Sequence, residues 1–257
     1  MYRLKKEEMY RITPFFDGWN ETLLWSCLQG YMGNAWVDDI DNPHSAQIIT
    51  GDFCFFAGVP NVGLVKNIPE YFSSKCILMI PQNDEWEDLI EHEYKINCHR
   101  FMRYAIKKEQ DIFDKEKLHS YIEKLPSQYS IMKIDEIIYN KVKTEEWSKD
   151  LCSQFPTYND YEKYGLGFVI LHMDRIVCGA SSYTVYSKGI EIEIDTKEEY
   201  RRKGLALVCA SKLILECLNR ELYPSWDAAN KGSVALAKKI GYHFEKEYAT
   251  YSITNFR

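Results

Sequence analysis

From residue 127 onward, hydrophobic and polar positions form blocks of period two and period 3.6, which predicts alternating strands and helices. Tight turns at Met173-Asp174-Arg175 and Ser187-Lys188-Gly189 separate three apolar runs and predict an antiparallel meander. The predicted strands are 129–134, 167–172, 176–186, 190–196, 223–227, 242–244 and 248–253. The predicted helices are 136–141, 147–155, 204–220 and one that starts at Asn230 or Ser233 and runs through Ile240, with Gly241 directly after it. The resulting order is β-α-α-β-β-β-α-β-α-β-β.

Residues 1–125 show a comparable alternation with no recognisable catalytic motif. The predicted strands are 34–38, 46–50, 53–57, 76–81 and 99–105, and the predicted helices are 21–30, 69–73 and 85–94. The spacing from Cys76 to a helix start near Asp84 equals the spacing from Tyr223 to one near Lys231. This half is therefore either a degenerate copy of the C-terminal fold or an unrelated α+β domain. A helical pattern over 107–126 predicts a packed connecting helix, which gives two α/β lobes, 1–125 and 126–257.

Composition and charge are those of an ordinary globular protein. Hydrophobic residues make up 46% and charged residues 27%, and the formal charge of −6 does not favour general binding of nucleic acid. No window approaches the ~18 apolar residues of a membrane span, and no apolar segment of a signal peptide follows the charged N-terminus. We therefore expect a cytoplasmic protein, monomeric or homodimeric, without nucleic-acid or membrane partners.

The cysteine pattern favours neither disulfides nor a metal site. Most of the eight cysteines lie within apolar runs, and none forms a C-x-x-C pair. This distribution is typical of buried, reduced thiols in the cytosol. Cysteine and histidine do not cluster at the spacing of zinc ligands, so we expect no metal.

The basic loop Arg201-Arg202-Lys203-Gly204-Leu205-Ala206 is the strongest chemical signal in the chain. It connects a strand to a long helix, whose N-terminus offers unpaired N–H groups to an anion, and Gly204 permits close approach of the backbone. The loop resembles the Arg/Gln-x-x-Gly-x-Gly/Ala signature of the GNAT N-acetyltransferase superfamily. The element order from about Ser127 to the C-terminus also matches that family. The resemblance implies an α/β (α+β) GNAT acyl-CoA N-acyltransferase fold for residues 126–257 and acetyl-CoA as co-substrate.

A looser resemblance covers most of the chain. It is carried by Asp227-Ala228-Ala229-Asn230 with Ser233 and Gly241-Tyr242, and by residues 25–58 with Gly33-Asn34-Ala35-Trp36-Val37-Asp38 and Gly51-Asp52-Phe53. These residues are similar to the GNAT subgroup that includes the zwittermicin A resistance acetyltransferase. That similarity suggests an antibiotic-resistance role, but it does not identify the amine.

The family resemblance implies the positions that hold the cofactor. Backbone groups from Ile194 to Thr196 would pair with the pantetheine amides. The N–H groups from Arg202 to Ala206 would hold the pyrophosphate. The cofactor-binding residues implied in this way are Ile194, Asp195, Thr196, Arg201, Arg202, Lys203, Gly204, Leu205, Ala206, Asn230 and Ser233.

Alternating carboxylates on the same strand are the candidates for proton abstraction. Glu191, Glu193 and Asp195 project from one face of a strand, since side chains alternate with period two. In the family, an amine attacks the thioester directly, and a carboxylate on this strand removes its proton directly or through water. Glu193 is the first candidate for the general base and Glu191 the second. The alternative is a solvated strand face whose acids offset the basic loop.

The general acid departs from the family pattern. The usual tyrosine position is occupied by Ala237, and Tyr248 is the candidate substitute, with Tyr242 and Tyr251 nearby in the sequence. The family resemblance implies an acetyl-CoA-dependent N-acetyltransferase that acts on a primary amine of a small molecule. The alternative is a non-catalytic acyl-CoA-binding or regulatory protein. The corresponding N-terminal loop, residues 58–63, has no basic residue, so we expect one cofactor per chain.

Overall fold

The computed structural model describes residues 1–256, which contain thirteen strands and eight α-helices. The strands are β1 (Tyr2–Arg3), β2 (Asn34–Val37), β3 (Ser45–Thr50), β4 (Phe53–Gly58), β5 (Cys76–Pro81), β6 (Cys98–Ile106), β7 (Tyr129–Lys133), β8 (Gly167–His172), β9 (Arg175–Tyr186), β10 (Gly189–Thr196), β11 (Tyr223–Ser225), β12 (Asp227–Ala228) and β13 (Phe244–Thr254). The helices are α1 (Thr22–Leu28), α2 (Val62–Val65), α3 (Asp84–Tyr94), α4 (Lys115–Glu123), α5 (Glu136–Val142), α6 (Tyr158–Tyr164), α7 (Leu205–Asn219) and α8 (Lys231–Ile240). None of these helices is long and apolar enough to cross a membrane.

The chain divides into two compact units whose bounds differ from those of the predicted lobes. One unit comprises residues 1–103 with 247–256, and the other comprises Tyr104–Lys246. Each unit thus includes a segment of the other lobe, namely the end of β13 in the first unit and α4 in the second. The lobes were inferred from element order and not from compactness, so the division at 125/126 stays a prediction.

The first unit is built on a mixed sheet with strand order β1-β2-β3-β4-β5-β13. Strands β2, β3 and β4 are antiparallel neighbours, whereas β4 and β5 run parallel, with Phe56 opposite Pro81. The end of β13 lies antiparallel to β5, with Tyr251 opposite Met79. Phe56 stacks on Trp86 of α3 with 5.1 Å between ring centroids, and both side chains are fully buried. This contact lies within the hydrophobic core of the unit.

The second unit is built on a five-stranded sheet with order β11-β10-β9-β8-β7. Strands β7 to β10 form the predicted antiparallel meander. Strand β11 runs parallel to β10 but pairs only with residues 189–191. A register shift against β9 falls between Glu191 and Ile192, and such irregularities bend a strand. Helix α7 packs on the sheet through buried residues, and Cys209 Sγ lies 3.3 Å from the carbonyl oxygen of Phe168.

The second predicted helix of the C-terminal half is wrong in position. Residues 147–155 contain one 3₁₀ turn, Lys149–Leu151, and the helix is α6, which begins after Thr157. The Thr157 hydroxyl accepts from the Asp160 N–H, and the Asp160 carboxylate accepts from the Thr157 N–H. This capping box fixes the start of α6. The apolar residues before it are buried without forming a helix, as Leu151 and Phe155 show.

Further predicted elements differ from the structure, among them strand 223–227, which is divided into β11 and β12 in different sheets. The helix at 69–73 is absent, and the nearest one is α2, which Asn61 caps by accepting from the Leu64 N–H. The connecting helix is limited to α4, because Asp114 caps it at that point. The two closing strands, 242–244 and 248–253, are one strand, β13, which continues through the exposed polar residues 245–247 between them.

Candidate cofactor-binding and catalytic site

The second half of β10 presents an open backbone edge within its unit. The Lys197 N–H donates to the Val177 carbonyl at 3.0 Å, so this backbone group faces β9. Backbone groups of successive strand residues point to opposite edges, so those of Thr196 and Ile194 point away from β9. Strand β11 does not reach these residues, because its pairing stops at Glu191. The N–H and C=O of Ile194 are therefore placed to pair with an extended ligand.

The basic loop turns the chain from β10 into α7 through two left-handed residues. Arg202 has φ 60° and Gly204 has φ 81°, and Gly204 occupies the N-cap position. A Cβ added at Gly204 would meet no atom within 4 Å, so this face of the loop is open. The Val208 N–H makes the first hydrogen bond of the helix, to the Gly204 carbonyl at 3.3 Å.

The backbone donors of this loop are unoccupied. From Arg202 to Leu207, no N–H group has an acceptor among residues 1–256. The first turn of α7 contains no acidic residue. Consecutive unpaired N–H groups, together with the positive end of the helix dipole, make a site for a phosphate-type anion.

Side chains around the loop add positive charge and rigidity. Arg201 Nε donates to the Thr196 carbonyl at 3.1 Å, and Lys203 Nζ lies 4.5 Å from the centroid of the Tyr200 ring. The Tyr200 hydroxyl is 3.0 Å from His172 Nδ1. His172 therefore contacts Tyr200, and Tyr200 in turn contacts Lys203 of the loop. No motif in the sequence indicates this contact, because it joins the end of β8 to a turn 28 residues later.

The three predicted carboxylates alternate along β10, and the register shift against β9 falls between Glu191 and the other two. Glu191 is buried, with 4% of its surface exposed, whereas Glu193 and Asp195 are half-buried. Glu193 lies opposite Ser181, whose hydroxyl is 2.8 Å from that of Tyr161 in α6. Glu193 is thus more accessible than Glu191 and adjoins a polar patch.

Asp195 has an unusual environment that the sequence did not reveal. Burial, and to a smaller extent the nearby Asp150 carboxylate, raises the pKa of Asp195 to about 6. Arg201 acts in the opposite direction, although it does not cancel the effect. A carboxyl group with a pKa near 6 can both take and return a proton near neutral pH. Only the fold could show this, since Asp150 is brought near by the 3₁₀ turn.

The candidate tyrosines have different surroundings. Tyr248 lies half-buried on β13, in the first unit. Tyr242 is buried, its hydroxyl donates to the Pro224 carbonyl, and burial raises its pKa well above the usual value. The Tyr251 hydroxyl contacts Glu87 at 2.7 Å, also in the first unit. The hydroxyls of Tyr242 and Tyr251 thus have structural partners, and Ala237 is fully buried.

Asn230 and Ser233 have structural contacts at the start of α8. Asn230 Oδ1 accepts from the Ser233 N–H at 3.0 Å and caps the helix. The Ser233 hydroxyl accepts from Trp226 Nε1, also at 3.0 Å. These contacts position the N-terminus of α8. Binding of the pantetheine arm by Asn230 and Ser233 stays a prediction.

Comparison with known proteins finds relatives that match nearly the whole chain. The model of the GNAT acetyltransferase family matches residues 13–251. An uncharacterized N-acetyltransferase of Bacillus subtilis (strain 168), YdfB, is 30% identical over 96% of both chains. A GCN5-related N-acetyltransferase-like protein from Streptococcus suis 89/1591 is 44% identical, with a TM-score of 0.91 over 96% of this chain and 98% of its own.

A more distant likeness concerns the fold alone. A tandem GNAT protein from the clavulanic acid biosynthesis pathway superposes with a TM-score of 0.52 at 11% identity, covering 86% of this chain and 82% of its own. The mixed α/β fold predicted from the sequence is confirmed by these comparisons, and the two-lobe architecture is consistent with this tandem protein.

Proposed function

Because the chain belongs to the GNAT acetyltransferase family and is an N-acetyltransferase of that family, we propose that it uses acetyl-CoA to acetylate a primary amine of a small molecule. The observation that carries this proposal is the run of unpaired N–H groups from Arg202 to Leu207 beside the open edge of β10. The two features fit two parts of one cofactor, a pyrophosphate and an amide-containing arm.

The charge of the loop and the space beside it also suit a pyrophosphate. Arg201, Arg202 and Lys203 supply positive charge, and the open face at Gly204 leaves room for the anion. When bound, acetyl-CoA supplies an acyl group already activated as a thioester. A backbone N–H near Ile194 or Asp195 would polarise the thioester carbonyl at the edge of β10.

The carboxylate face of β10 supplies the proton acceptor. We assign Glu193 as the general base that takes the proton of the attacking amine, because it is more accessible than Glu191. Glu191 is the second candidate. Tyr248, the candidate named from the sequence, stays our proposal for the group that returns a proton to the leaving thiolate.

The looser resemblance suggests a class of acceptor without identifying the amine. Asp227-Ala228-Ala229-Asn230 and residues 25–58 are similar to the subgroup of the zwittermicin A resistance acetyltransferase. We therefore place the acceptor among small amines, such as amino sugars and peptide-like antibiotics.

The test separates binding from turnover. Isothermal titration calorimetry with acetyl-CoA measures the cofactor site, and thiol release assayed against a panel of amines measures transfer. We expect binding by the wild type and turnover with at least one amine. Binding without turnover on any amine would instead support the non-catalytic acyl-CoA-binding alternative.

Gly204→Glu is the variant that tests the anion site. The added carboxylate would enter the open face of the loop and oppose the pyrophosphate, so cofactor binding should fall by at least about a hundredfold. The matched control is Gly18→Glu. Gly18 has φ 72° and equally open surroundings, but it is distant from Gly204 in the sequence and belongs to the first unit. Unchanged affinity in Gly204→Glu would show that the loop does not hold the cofactor.

A further inference from the structure

The conformation of the basic loop, residues 201–206, requires support from outside its own backbone. Arg202 has φ 60°, in the left-handed region that residues other than glycine enter only at an energetic cost. The N–H groups from Arg202 to Leu207 form no hydrogen bond with residues 1–256, so backbone bonds do not compensate this cost. A strained residue of this kind persists where surrounding groups fix it in place.

Two side-chain contacts fix the residues on either side of Arg202. Arg201 Nε donates to the Thr196 carbonyl at 3.1 Å and thereby holds the start of the loop against the end of β10. Lys203 Nζ lies 4.5 Å from the centroid of the Tyr200 ring, which is within the distance of a cation–π contact. Tyr200 directly precedes the loop, at the end of a 3₁₀ turn. The second contact therefore fixes the loop only if the Tyr200 ring is itself held.

Strand β8 holds the Tyr200 ring. The Tyr200 hydroxyl lies 3.0 Å from His172 Nδ1, and the two rings meet edge to face with 5.6 Å between their centroids. His172 is the last residue of β8, opposite Arg175 on one neighbouring strand and Tyr129 on the other. The Tyr129 ring also packs against the His172 ring, with 5.1 Å between centroids. His172 thus connects Tyr200 to a strand that is hydrogen-bonded along both edges.

An aromatic partner holds Lys203 without neutralising its charge. Among residues 1–256, Lys203 forms no ion pair, although Glu198 and Glu199 lie close to it in the sequence. A carboxylate partner would repel a pyrophosphate and would have to be displaced when the anion binds. The Tyr200 ring instead restricts where Lys203 lies and leaves its positive charge available to the anion.

We propose that Tyr200 is a positioning residue for the cofactor loop, anchored by His172 and acting through Lys203. The anchored ring holds the loop in its binding conformation before the cofactor arrives, so that binding does not have to order the loop. Tyr200 acts on the loop and requires no contact of its own with the cofactor. The proposal rests on the proposed function, because it takes the loop to hold the pyrophosphate of acetyl-CoA.

Limited trypsin digestion of the full-length protein without cofactor tests whether Tyr200 holds the loop. Arg201, Arg202 and Lys203 are three consecutive trypsin sites, and mass spectrometry identifies cleavage after them. Loss of a cation–π contact raises the population of an opened loop, so Tyr200→Leu should be cut there about three- to fivefold faster than the wild type. Tyr200→Phe keeps the ring but loses the hydroxyl contact with His172, and its rate should lie between the two.

Calorimetry with coenzyme A tests whether this support matters for binding. Tyr200→Leu should bind coenzyme A about three- to fivefold more weakly than the wild type, because the loop must then be ordered on binding. Lys203→Met removes the charge from the same contact and keeps an unbranched side chain. The Tyr200→Leu/Lys203→Met double variant should bind no more weakly than Lys203→Met alone, since Tyr200 acts through Lys203.

Tyr164→Leu is the matched control for loss of a tyrosine ring that contacts a lysine. Lys163 Nζ lies 4.7 Å from the centroid of the Tyr164 ring, a contact like that of Lys203 with Tyr200 but at the end of α6. This variant should be cut in the loop at the wild-type rate and should bind coenzyme A with wild-type affinity. Circular dichroism verifies that every variant is folded.

The outcomes separate this proposal from the proposed function. An unchanged rate of loop cleavage in Tyr200→Leu would overturn it, and so would faster cleavage with unchanged affinity for coenzyme A. Additive losses of affinity in the double variant would also overturn it, because Tyr200 would then act independently of Lys203. A wild type that binds no coenzyme A would refute the proposed function and the binding role of Tyr200 with it, while the cleavage rates would still show whether Tyr200 holds the loop.

Discussion

Replacing Asp195 with Asn is expected to stabilise the protein at neutral pH, which is unusual for a residue on the candidate catalytic strand. In the folded protein, burial and Asp150 raise the pKa of Asp195 from 3.8 to about 6. The folded state therefore binds the proton more tightly than the unfolded chain. The protonated Asp195 side chain therefore contributes to stability at pH values below its ordinary pKa of 3.8, and this contribution is lost as the pH rises through about 6. Above pH 6 the ionised carboxylate is a net cost.

The magnitude follows from the two pKa values. The difference between about 6 and 3.8 corresponds to at most about 3 kcal/mol. Asp195 is partly exposed, so solvent screening reduces this to about 1–2 kcal/mol. Asparagine keeps the shape and removes the charge. At pH 7.5 the variant should unfold with a free energy higher by about 1–2 kcal/mol, or a Tm higher by about 3–6 °C. At pH 4 the gain should nearly vanish.

Thermal and urea denaturation at both pH values measure this difference. Asp41→Asn is the matched control, because it removes the same charge from an exposed side chain and should give no pH-dependent gain. The reasoning is refuted if Asp195→Asn is no more stable than the wild type at pH 7.5. A gain that is equal at pH 4 and pH 7.5 would also refute it, since it could not arise from ionisation.

Three further predictions concern catalysis, helix capping and thiol accessibility. Glu193→Gln should lower kcat by about 10²–10⁴ with little change in acetyl-CoA affinity, and steady-state kinetics with calorimetry would show whether base and binding roles are separate. Asn230→Ala should lower the free energy of unfolding by about 1 kcal/mol, measured in urea, because it removes the cap of α8. Ellman's reagent should modify two cysteines in the native protein, Cys76 and Cys98, because the other six are buried and should react only after unfolding. Reaction of more than two cysteines before unfolding would contradict this burial.

The sequence predicted best the elements whose pattern is local. Strand β8 has the predicted bounds, and β10 and α7 begin and end within one residue of theirs, because tight turns and Gly204 delimit them. The predictions failed where a capping interaction or a tertiary contact determines the bounds of an element. Helix α6 begins at a capping box in a polar segment, and the apolar residues before it pack without helical structure. Periodicity alone cannot distinguish these cases.

The features of the candidate site also fall into those that a local pattern predicts and those that depend on distant residues. The basic loop and the carboxylate row are contiguous in the sequence, and the structure places each on a single element. The raised pKa of Asp195 and the support of Tyr200 by His172 depend on residues that are distant in the sequence. The cavity of about 360 Å³ beside Gly204 likewise combines Lys124 with Lys239, which are distant in the sequence. These arise from packing between elements, which no local pattern records.

Strands β4 and β10 differ in how their backbone groups are satisfied, which supports the expectation of one cofactor per chain. In each unit a strand runs parallel to the next strand along the chain, β4 to β5 and β10 to β11. At the end of β4, the Gly58 N–H donates to Gln82 Oε1 at 3.0 Å and the Gly58 carbonyl accepts from Trp86 Nε1 at 2.9 Å. Backbone groups that remain open on β10 are thus satisfied on β4 by side chains of the same unit. Since Trp86 is also central to the hydrophobic core of that unit, opening this edge would disrupt the core, and we therefore expect a calorimetric stoichiometry of one coenzyme A per chain.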